Sequence, residues 1–238
     1  MDEDKLYIDE KLGDEPFRFD DSVARVFPDM LRRSIPGYAA SIEAIGSLAA
    51  RYVRAGTNCY DLGCSLGAAT LAMRQGIRVP DCRIVAVDNS EAMIDRCRRI
   101  VDDDDCIDLK LADISDIQIE NASMVVMNYP LQVLDVTARD DMVRRIADGL
   151  VEGGLFLLSE KVVDENAQLE KLLVELHHEH KRRNDYSELE ISRKRAALEN
   201  VLIPESVARH KQRLAEAGFA HSAVWLRYFN FVSIVAIK

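Results

Sequence analysis

Between Asn58 and Glu160 the sequence alternates between short apolar segments and amphipathic segments, and this alternation constrains the fold more than any other feature. The apolar segments read CYDLG, RIVAVD, DLKLAD, SMVVMN and LFLLSE, and helical segments such as AATLAMRQG, SEAMIDRCRRIV and ARDDMVRRIADGL separate most of them. Strands joined by helices of this length predict βαβ units and a mainly parallel α/β sheet with helices on both faces. Because parallel strands end at one edge of such a sheet, we expect ligand-binding residues at their carboxyl ends.

The remaining segments predict one domain with additions. Residues 1–17 are polar and aperiodic, which is typical of a flexible N-terminal arm, and residues 18–238 are expected to form the domain. Within it, a helical preface (18–56), whose first helix Asp21 or Ser22 can cap, could cover a ligand site, and a charged helical insertion spans about 164–200. The insertion is expected to serve as a lid, an oligomer interface or both. A capped helix over PESVARHKQRLAEAGF follows, and AVWLRYFNF with VSIVAIK predicts a terminal β-hairpin.

Composition narrows the classes of function. Thirty-one Lys and Arg against 41 Asp and Glu give a net charge of −10, which disfavours direct binding of nucleic acid. The five cysteines form no C-x-x-C pair and no zinc-type spacing, and no leader sequence or membrane-length apolar run is evident. We therefore expect a cytoplasmic enzyme without a metal. The cluster His177, His178 and His180 is interpreted as an amphipathic helix surface rather than as a metal site.

The segment from Asp61 to Gly67 ends a predicted strand and opens a helix. Its D-x-G-x-x-x-G pattern differs from the G-x-G-x-x-G order of dinucleotide sites. Gly63 allows a tight turn beneath a ligand, and the amides around Ser65 are expected to face its polar groups. The pattern resembles the first motif of class I methyltransferases, in which this loop contacts the methionine part of S-adenosylmethionine. A strand-to-helix turn without a ligand is the alternative.

Acidic residues end the next two strands. Asp88 ends RIVAVD, where its carboxylate can accept hydrogen bonds from both ribose hydroxyls of a nucleoside. A carboxylate there disfavours a phosphorylated ribose, so S-adenosylmethionine ranks above a dinucleotide. Asp113 could accept from an adenine amino group while Ile114 lines the base, but Asp113 could equally be a helix or turn cap.

Asn128 ends the strand SMVVMN, where we expect it beneath the sulfonium of the ligand. The residues after it are Tyr129-Pro130-Leu131, which is not the N-P-P-Y signature of enzymes that methylate amino groups of nucleobases or glutamine. The sequence therefore does not support such a target. Asn128 could also simply close the strand.

Several segments outside the loop carry a sharper resemblance. It covers the chain from about Phe19 to the C-terminus, and it is strongest at VFPDM (26–30), SIPGY (34–38), YDLGCSLGAAT (60–70), ENASMVV (120–126) and YSELEIS (186–192). These segments resemble those of carboxy-S-adenosyl-L-methionine synthases. The resemblance implies a Rossmann-like class I methyltransferase fold, with a mainly parallel seven-stranded sheet, a C-terminal antiparallel hairpin and a helical insertion.

The resemblance also implies an activity. Members of this family convert S-adenosylmethionine and prephenate into carboxy-S-adenosylmethionine and phenylpyruvate. A second enzyme, a tRNA carboxymethyltransferase, then uses the product to modify the wobble uridine of tRNA (cmo5U34). The family members are homodimers, so a homodimer is expected here as well.

The resemblance assigns site residues too. The cofactor-binding residues it implies are Tyr38, Gly63, Cys64, Ser65, Asp88, Asn89, Asp113, Ile114, Asn128 and Arg195. Tyr38 and Arg195 are also the implied catalytic residues, and Arg195 would reach the carboxylate of the product from the neighbouring subunit. Chemistry supports such an arginine, since the carboxylated product carries an additional anion that a guanidinium can bind in a bidentate manner. Cys64 is expected to act through its backbone, because no histidine partner for a nucleophilic thiol is evident.

Two departures and two alternatives accompany this hypothesis. The family usually has threonine where this chain has Pro130, and glycine where it has Val232, which bears on the fit of the second substrate. An ordinary methyltransferase acting on a small molecule would use the same loop and Asp88. A non-catalytic subunit that binds S-adenosylmethionine is the other alternative.

Overall fold

The computed structural model describes residues 2–8, 17–101 and 104–238. The helices it describes are α1 (Asp21–Ser34), α2 (Tyr38–Tyr52), α3 (Ala68–Gly76), α4 (Glu91–Val101), α5 (Arg139–Gly149), α6 (Ala167–Arg183), α7 (Glu188–Leu198) and α8 (Val207–Glu216). The strands are β1 (Asn58–Leu62), β2 (Arg83–Asp88), β3 (Ile107–Leu111), β4 (Ala122–Asn128), β5 (Leu150–Val163), β6 (Glu205–Ser206), β7 (His221–Tyr228) and β8 (Phe231–Ile237). Short 3-10 turns follow β3 and β4.

The strands form one twisted sheet in the order β3-β2-β1-β4-β5-β8-β7. Strands β1 to β5 run parallel, β8 runs antiparallel to β5, and β7 runs antiparallel to β8. The predicted seven-stranded α/β sheet with its C-terminal hairpin is therefore confirmed. The two-residue strand β6, which pairs with the end of β5, was not predicted.

Both faces of the sheet are covered, which explains why the central strands are apolar along their length. Met142 and Ile146 of α5 and Leu214 of α8 pack on one face. Ile45 of α2 and Met73 of α3 pack on the other. The polar residues that end the strands therefore lie at the rim of a rigid layer.

Two local predictions need correction. Asp20, rather than Asp21 or Ser22, caps α1, because its Oδ1 accepts from the amide of Val23 at 3.0 Å. The hairpin turns at Phe229 and Asn230, and not after Phe231 as the segments suggested. Phe229 adopts a φ of 55°, which allows the two-residue turn, and Phe231 already pairs with β5.

The beginning of the chain packs against the body. Asp4 and Tyr7 are 1% and 6% exposed, and Tyr7 joins an apolar cluster with Val26 and Met30 of α1. This burial differs from the flexible arm expected over residues 1–17. Residue 1 and residues 9–16 of that range lie outside the described residues.

The insertion consists of the helices α6 and α7, and their starts follow from their caps. The Asn166 side chain accepts from the amides of the first turn of α6, and Ser187 with Glu190 forms a capping box at α7. Of the three histidines predicted on the helix surface, His177 is buried and bonds the Ser34 carbonyl oxygen at 2.9 Å. In the part of the chain that the structure describes, no helix is long and apolar enough to cross a membrane.

Candidate active site

A cavity of about 1190 Å³ lies at the carboxyl ends of the parallel strands, beneath α1 and the start of α2. Nine of the predicted site residues line it: Tyr38, Gly63, Cys64, Ser65, Asp88, Asn89, Asp113, Ile114 and Asn128. The tenth, Arg195, does not line it. The sheet therefore gathers residues from five separate segments into one cavity, as expected for the switch region of an α/β sheet.

The loop after β1 is held by the neighbouring strand β2. The amides of Gly63 and Cys64 both donate to the Val87 carbonyl oxygen, at 2.8 and 2.9 Å. Gly63 has a φ of +79°, and a Cβ atom there would lie 2.7 Å from Cβ of Pro130. Glycine is thus required both for the backbone conformation and for the close approach of Pro130.

The carboxylate of Asp88 is oriented by two backbone amides. Ser65 donates to its Oδ2 and Ser90 to its Oδ1, each at 2.9 Å. The Ser65 amide therefore faces Asp88, which corrects the expectation that it would face the ligand directly. Burial raises the pKa of Asp88. Each oxygen keeps a further lone pair with which to accept a hydroxyl hydrogen.

Asp61 is an acidic wall residue to which the sequence interpretation had given no role beyond its place in the motif. It is 1% exposed, and its Oδ2 accepts from Oγ1 of Thr70 at 2.6 Å. Its Oδ1 has no hydrogen-bond partner among the described residues. Burial raises the pKa of Asp61 to about 6. A buried carboxylate of this kind favours a cationic ligand in the cavity.

Asp113 caps a turn and also lines the cavity, so the structure combines the two alternatives that the sequence left open. Its Oδ1 accepts from the amide of Ser115 at 2.8 Å, so it caps the 3-10 turn after β3, and this amide lowers the pKa of Asp113. Its Oδ2 accepts from Nδ2 of Asn89 at 3.4 Å. Asp113 also lines the cavity together with Ile114. The cap thus holds the side chain at the cavity wall.

The segment after β4 forms the floor of the cavity. Oδ1 of Asn128 is buried without a partner in the described part of the chain, which leaves an acceptor at the cavity. Tyr129 adopts a φ of 78°, and its amide donates to the Ser159 carbonyl oxygen at 2.9 Å. Oε1 of the buried Glu160 accepts from the amide of Leu131 at 3.1 Å, and burial raises the pKa of Glu160. The floor is therefore held by strand β5.

Two further predicted residues have environments that limit their chemistry. Burial raises the pKa of the Tyr38 hydroxyl above its usual range, so the phenol stays protonated and can donate a hydrogen bond. A hydrogen bond with Cys97, together with burial, raises the pKa of Cys64. A thiol that stays protonated is a poor nucleophile, which agrees with the backbone role expected for Cys64.

The apolar wall of the cavity was not predicted residue by residue. It includes Phe19, Phe27, Leu31, Ile35, Leu66 and Leu134. The sequence signal for this wall was the helical preface, which was expected to cover the ligand site. From the sequence alone, the apolar side chains of the preface could equally belong to the core. Arg195 is exposed on α7, outside the cavity of its own chain. Within the described residues no group of three or more His, Cys, Asp or Glu side chains could hold a metal ion.

Comparison with solved structures agrees with this architecture. Human N-acetylserotonin methyltransferase in complex with S-adenosylmethionine superposes with a TM-score of 0.62 at 15% identity, over 100% of this chain and 60% of that structure. An O-methyltransferase family 2 protein of Planctomyces limnophilus gives a TM-score of 0.60 at 17% identity, over 92% and 61%. At these identities the likeness shows the fold. The chain spans about 60% of the length of each structure.

Comparison of sequences is more specific. A family described as a methyltransferase domain matches residues 60–154. The carboxy-S-adenosyl-L-methionine synthase of Trichlorobacter lovleyi is 53% identical over 93% of each chain. The protein of that name from Escherichia fergusonii is 53% identical over 96% of this chain and 93% of its own, and that from Yersinia enterocolitica is 52% identical over 96% and 86%. The chain therefore belongs to the carboxy-S-adenosyl-L-methionine synthase family.

Proposed function

We propose that this protein converts S-adenosylmethionine and prephenate into carboxy-S-adenosylmethionine, phenylpyruvate and water. The observation that carries the proposal is the convergence of nine predicted residues on one cavity in a chain that is 53% identical to a relative with this name. The residues of the cavity indicate which kind of ligand it binds, and the name of the relatives indicates the class of reaction.

The cavity suits S-adenosylmethionine in charge and in size. The ligand is cationic at sulfur and at its amino group, and the wall contains the buried carboxylate of Asp61 and the partly buried carboxylate of Asp88. The nucleoside end can use Asp88 for the ribose and Asp113 with Ile114 for the base. Ligand pockets commonly measure roughly 300 to 1000 Å³, so about 1190 Å³ leaves room for a second small substrate.

The proposed reaction needs little from the protein beyond positioning. Prephenate loses its ring carboxyl group as carbon dioxide and its hydroxyl group as hydroxide, and the ring becomes aromatic. The hydroxide takes a proton from the sulfonium methyl group, which forms water and an ylide. The ylide carbon then forms a bond to carbon dioxide and becomes the carboxymethyl group.

The side chains in the cavity wall are suited to positioning the reactants. Tyr38 remains protonated and so orients ligands as a donor rather than acting as the base. The apolar wall from α1, including Phe19 and Leu31, excludes water that would otherwise protonate the ylide or disperse the carbon dioxide. Positioning of this kind contributes a large part of many enzymatic rate enhancements.

We further propose that Arg195 binds the new carboxylate in the cavity of a neighbouring subunit. Two observations support a homodimer built in this way. Arg195 is exposed and does not line its own cavity. The insertion that carries it also exposes Leu169, Leu172 and Leu189 by about half of their surface, which a second copy of the chain can cover.

The product would supply a separate tRNA carboxymethyltransferase in the cytoplasm, where it provides the carboxymethyl group for the wobble uridine. A net charge of −10 gives this chain itself little attraction for tRNA. We therefore place the contact with nucleic acid in the second enzyme.

Mass spectrometry tests the proposed reaction. The purified protein is incubated with S-adenosylmethionine, with and without prephenate, and the small molecules are analysed. A species heavier than S-adenosylmethionine by one carbon dioxide, formed only with prephenate, is expected. Transfer of a methyl group to an acceptor without prephenate would instead identify an ordinary methyltransferase, and binding of S-adenosylmethionine without turnover would identify a binding subunit.

Arg195→Leu tests the proposed carboxylate contact. Loss of a bidentate, charge-assisted pair is expected to lower the affinity for carboxy-S-adenosylmethionine roughly 10- to 100-fold. The affinity for S-adenosylmethionine, which lacks this carboxylate, should stay within about two-fold. Isothermal titration calorimetry measures both, with Arg144→Leu on the exposed face of α5 as the matched control. Equal affinities for the product in wild type and variant would remove Arg195 from the site.

A further inference from the structure

The N-terminal segment 2–8 lies between α1 and α7 and is bonded to both. The backbone amide of Asp4 donates to Oδ2 of Asp29 at 2.8 Å, and its carbonyl oxygen accepts from Arg33 at 3.0 Å. On the other side, Arg193 of α7 donates to the carbonyl oxygens of residues 7 and 8 at 3.2 and 3.0 Å. The segment is thus a structural element that joins the preface to the insertion.

The side chain of Asp4 lies at the centre of this junction. Its Oδ2 accepts hydrogen bonds from the Tyr186 hydroxyl and from Nζ of Lys194, the latter at 3.3 Å. Lys194 also donates to Oγ of Ser34 at 3.1 Å. Asp4 is 1% exposed and Lys194 is 5% exposed, so this ion pair is removed from water.

The charges around Asp4 explain why its carboxylate matters. Arg33, Lys181 and Lys194 are buried at the junction, and the buried carboxylates near them belong to Asp4, Asp29 and Glu190. Burial lowers the pKa of Lys194, and the charge of Asp4 opposes this effect. Removal of one partner of a buried ion pair is strongly unfavourable, because the other charge is left uncompensated.

The two elements that Asp4 joins carry residues of the proposed site. Lys194 directly precedes Arg195 on α7, and turns its side chain inward while Arg195 faces solvent. Ser34 ends α1 and leads through three residues to Tyr38, which lines the cavity. One carboxylate therefore supports the helix that carries Arg195 and the loop that leads to Tyr38.

We propose that Asp4 is a positioning residue, which pairs with Lys194 to hold α7 in the orientation that lets Arg195 bind the carboxylate of the ligand in a neighbouring subunit. The inference rests on the proposed function, because it assumes the role of Arg195. It assigns to the N-terminal segment a part in recognition of the carboxylated ligand. Asp4 itself lies outside the cavity lining.

The test compares two ligands on the full-length protein. Asp4→Asn is expected to lower the affinity for carboxy-S-adenosylmethionine about ten-fold, while the affinity for S-adenosylmethionine changes by less than about two-fold. Glu3→Gln is the matched control, since Glu3 lies in the same segment and, among the described residues, its exposed carboxylate pairs with Lys5 alone. A general loss of structure would lower both affinities in parallel, and that result would overturn the proposal.

A second variant keeps the test decisive if Asp4→Asn is poorly folded. Addition of Lys194→Met removes the unpaired ammonium and fills its space, so the double variant is expected to recover most of the lost affinity for the carboxylated ligand. Failure to recover would refute the coupling to Lys194. Arg195→Leu is measured beside these variants. If Arg195→Leu has no effect, the proposed role of Arg195 is wrong, whereas an effect of Arg195→Leu without one of Asp4→Asn refutes only the role of Asp4.

Discussion

The cavity edge of the sheet and the insertion hold their functional residues by different means. At the sheet edge, backbone amides of the loop after β1 donate hydrogen bonds to the end of β2. The Ser65 amide, for example, bonds Asp88 across 23 residues of sequence. In the insertion, Tyr186 and Lys194 bond Asp4 across 182 and 190 residues, through buried side chains. The first arrangement relies mainly on backbone groups, which include the amides of Gly63 and Cys64 that bond the Val87 carbonyl oxygen, whereas the second depends on individual side chains.

The two regions are therefore expected to respond differently to substitution. Side-chain substitutions at the sheet edge are expected to change ligand binding while the backbone keeps its shape, unless they alter a glycine. Substitutions at the junction of the insertion are expected to change stability and the placement of α7 while the affinity for S-adenosylmethionine is retained. Each of the following predictions tests one side of this contrast.

Ligand binding at the sheet edge is expected to respond most strongly. Asp88→Ala removes the acceptor for two ribose hydroxyl groups, and each hydrogen bond to a charged group is worth about 1.5–3 kcal/mol. The affinity for S-adenosylmethionine should fall roughly 100- to 1000-fold, measured by titration calorimetry. Asp95→Ala, on the exposed face of α4, is the control. A loss of less than about five-fold would show that Asp88 does not bind the ligand.

Asp61→Asn should separate stability from function at the same edge. The native state keeps the Asp61 proton up to about pH 6, whereas the unfolded chain releases it near 3.8. Between these values the native state binds more protons, so the contribution of Asp61 to the free energy of unfolding falls as the pH rises. Above pH 6 its burial costs about 3 kcal/mol, from 1.36 kcal/mol per pKa unit.

Denaturation of wild type and Asp61→Asn at pH 4 and pH 7.5 measures this effect. The variant should gain stability relative to wild type as the pH rises, and its affinity for the cationic ligand should fall. A constant difference between the two proteins across this range would contradict an ionised, buried Asp61.

Gly63→Ala probes the backbone of the sheet edge, and the chain offers a matched control. Gly56 has a similar φ of +71°, but a Cβ atom added there would have no atom within 4 Å, whereas a Cβ atom at residue 63 would meet Pro130 at 2.7 Å. Gly56→Ala should cost about 1 kcal/mol from backbone strain, and Gly63→Ala about 2–3 kcal/mol. Urea denaturation measures both. Equal losses in the free energy of unfolding would show that Pro130 moves away from the added Cβ atom at no further cost.

The smallest expected effect lies in the insertion. Tyr186→Phe removes the hydrogen bond to Asp4 and keeps the ring on which Arg33 stacks at 4.0 Å. The free energy of unfolding should fall by about 1 kcal/mol. The affinity for S-adenosylmethionine should be unchanged, because Tyr186 does not line the cavity. A large loss of that affinity would mean that the two regions are coupled more strongly than their contacts indicate.

Much of the cavity edge was predictable because regular secondary structure has a simple sequence pattern. A buried parallel strand is an apolar run, and the polar residue that ends it, such as Asp88 or Asn128, lies at the rim. The residues between the strands, including Gly63, then follow from the turn that the chain must make. Nine predicted site residues accordingly line one cavity.

Other features have no such sequence pattern. Nothing local distinguishes Asp4 from its exposed neighbours, and nothing marks His177 as the buried member of its cluster. The apolar side chains of α1 satisfy the same pattern whether they line a cavity or fill a core. Oδ1 of Asp61 has no hydrogen-bond partner among the described residues because of the groups that surround it in three dimensions.

The order of most strands and helices, the motif at the cavity edge and the family resemblance were predictable from the sequence, because these depend on local periodicity and on residue identity. Three features came only from the packing of the chain: residues 2–8 pack between α1 and α7, Asp61 is a buried carboxylate, and Arg195 lies outside the cavity of its own chain. The physical reason is that burial, charge pairing and pKa depend on neighbours that are distant in sequence, and only the packing of the chain brings those neighbours together.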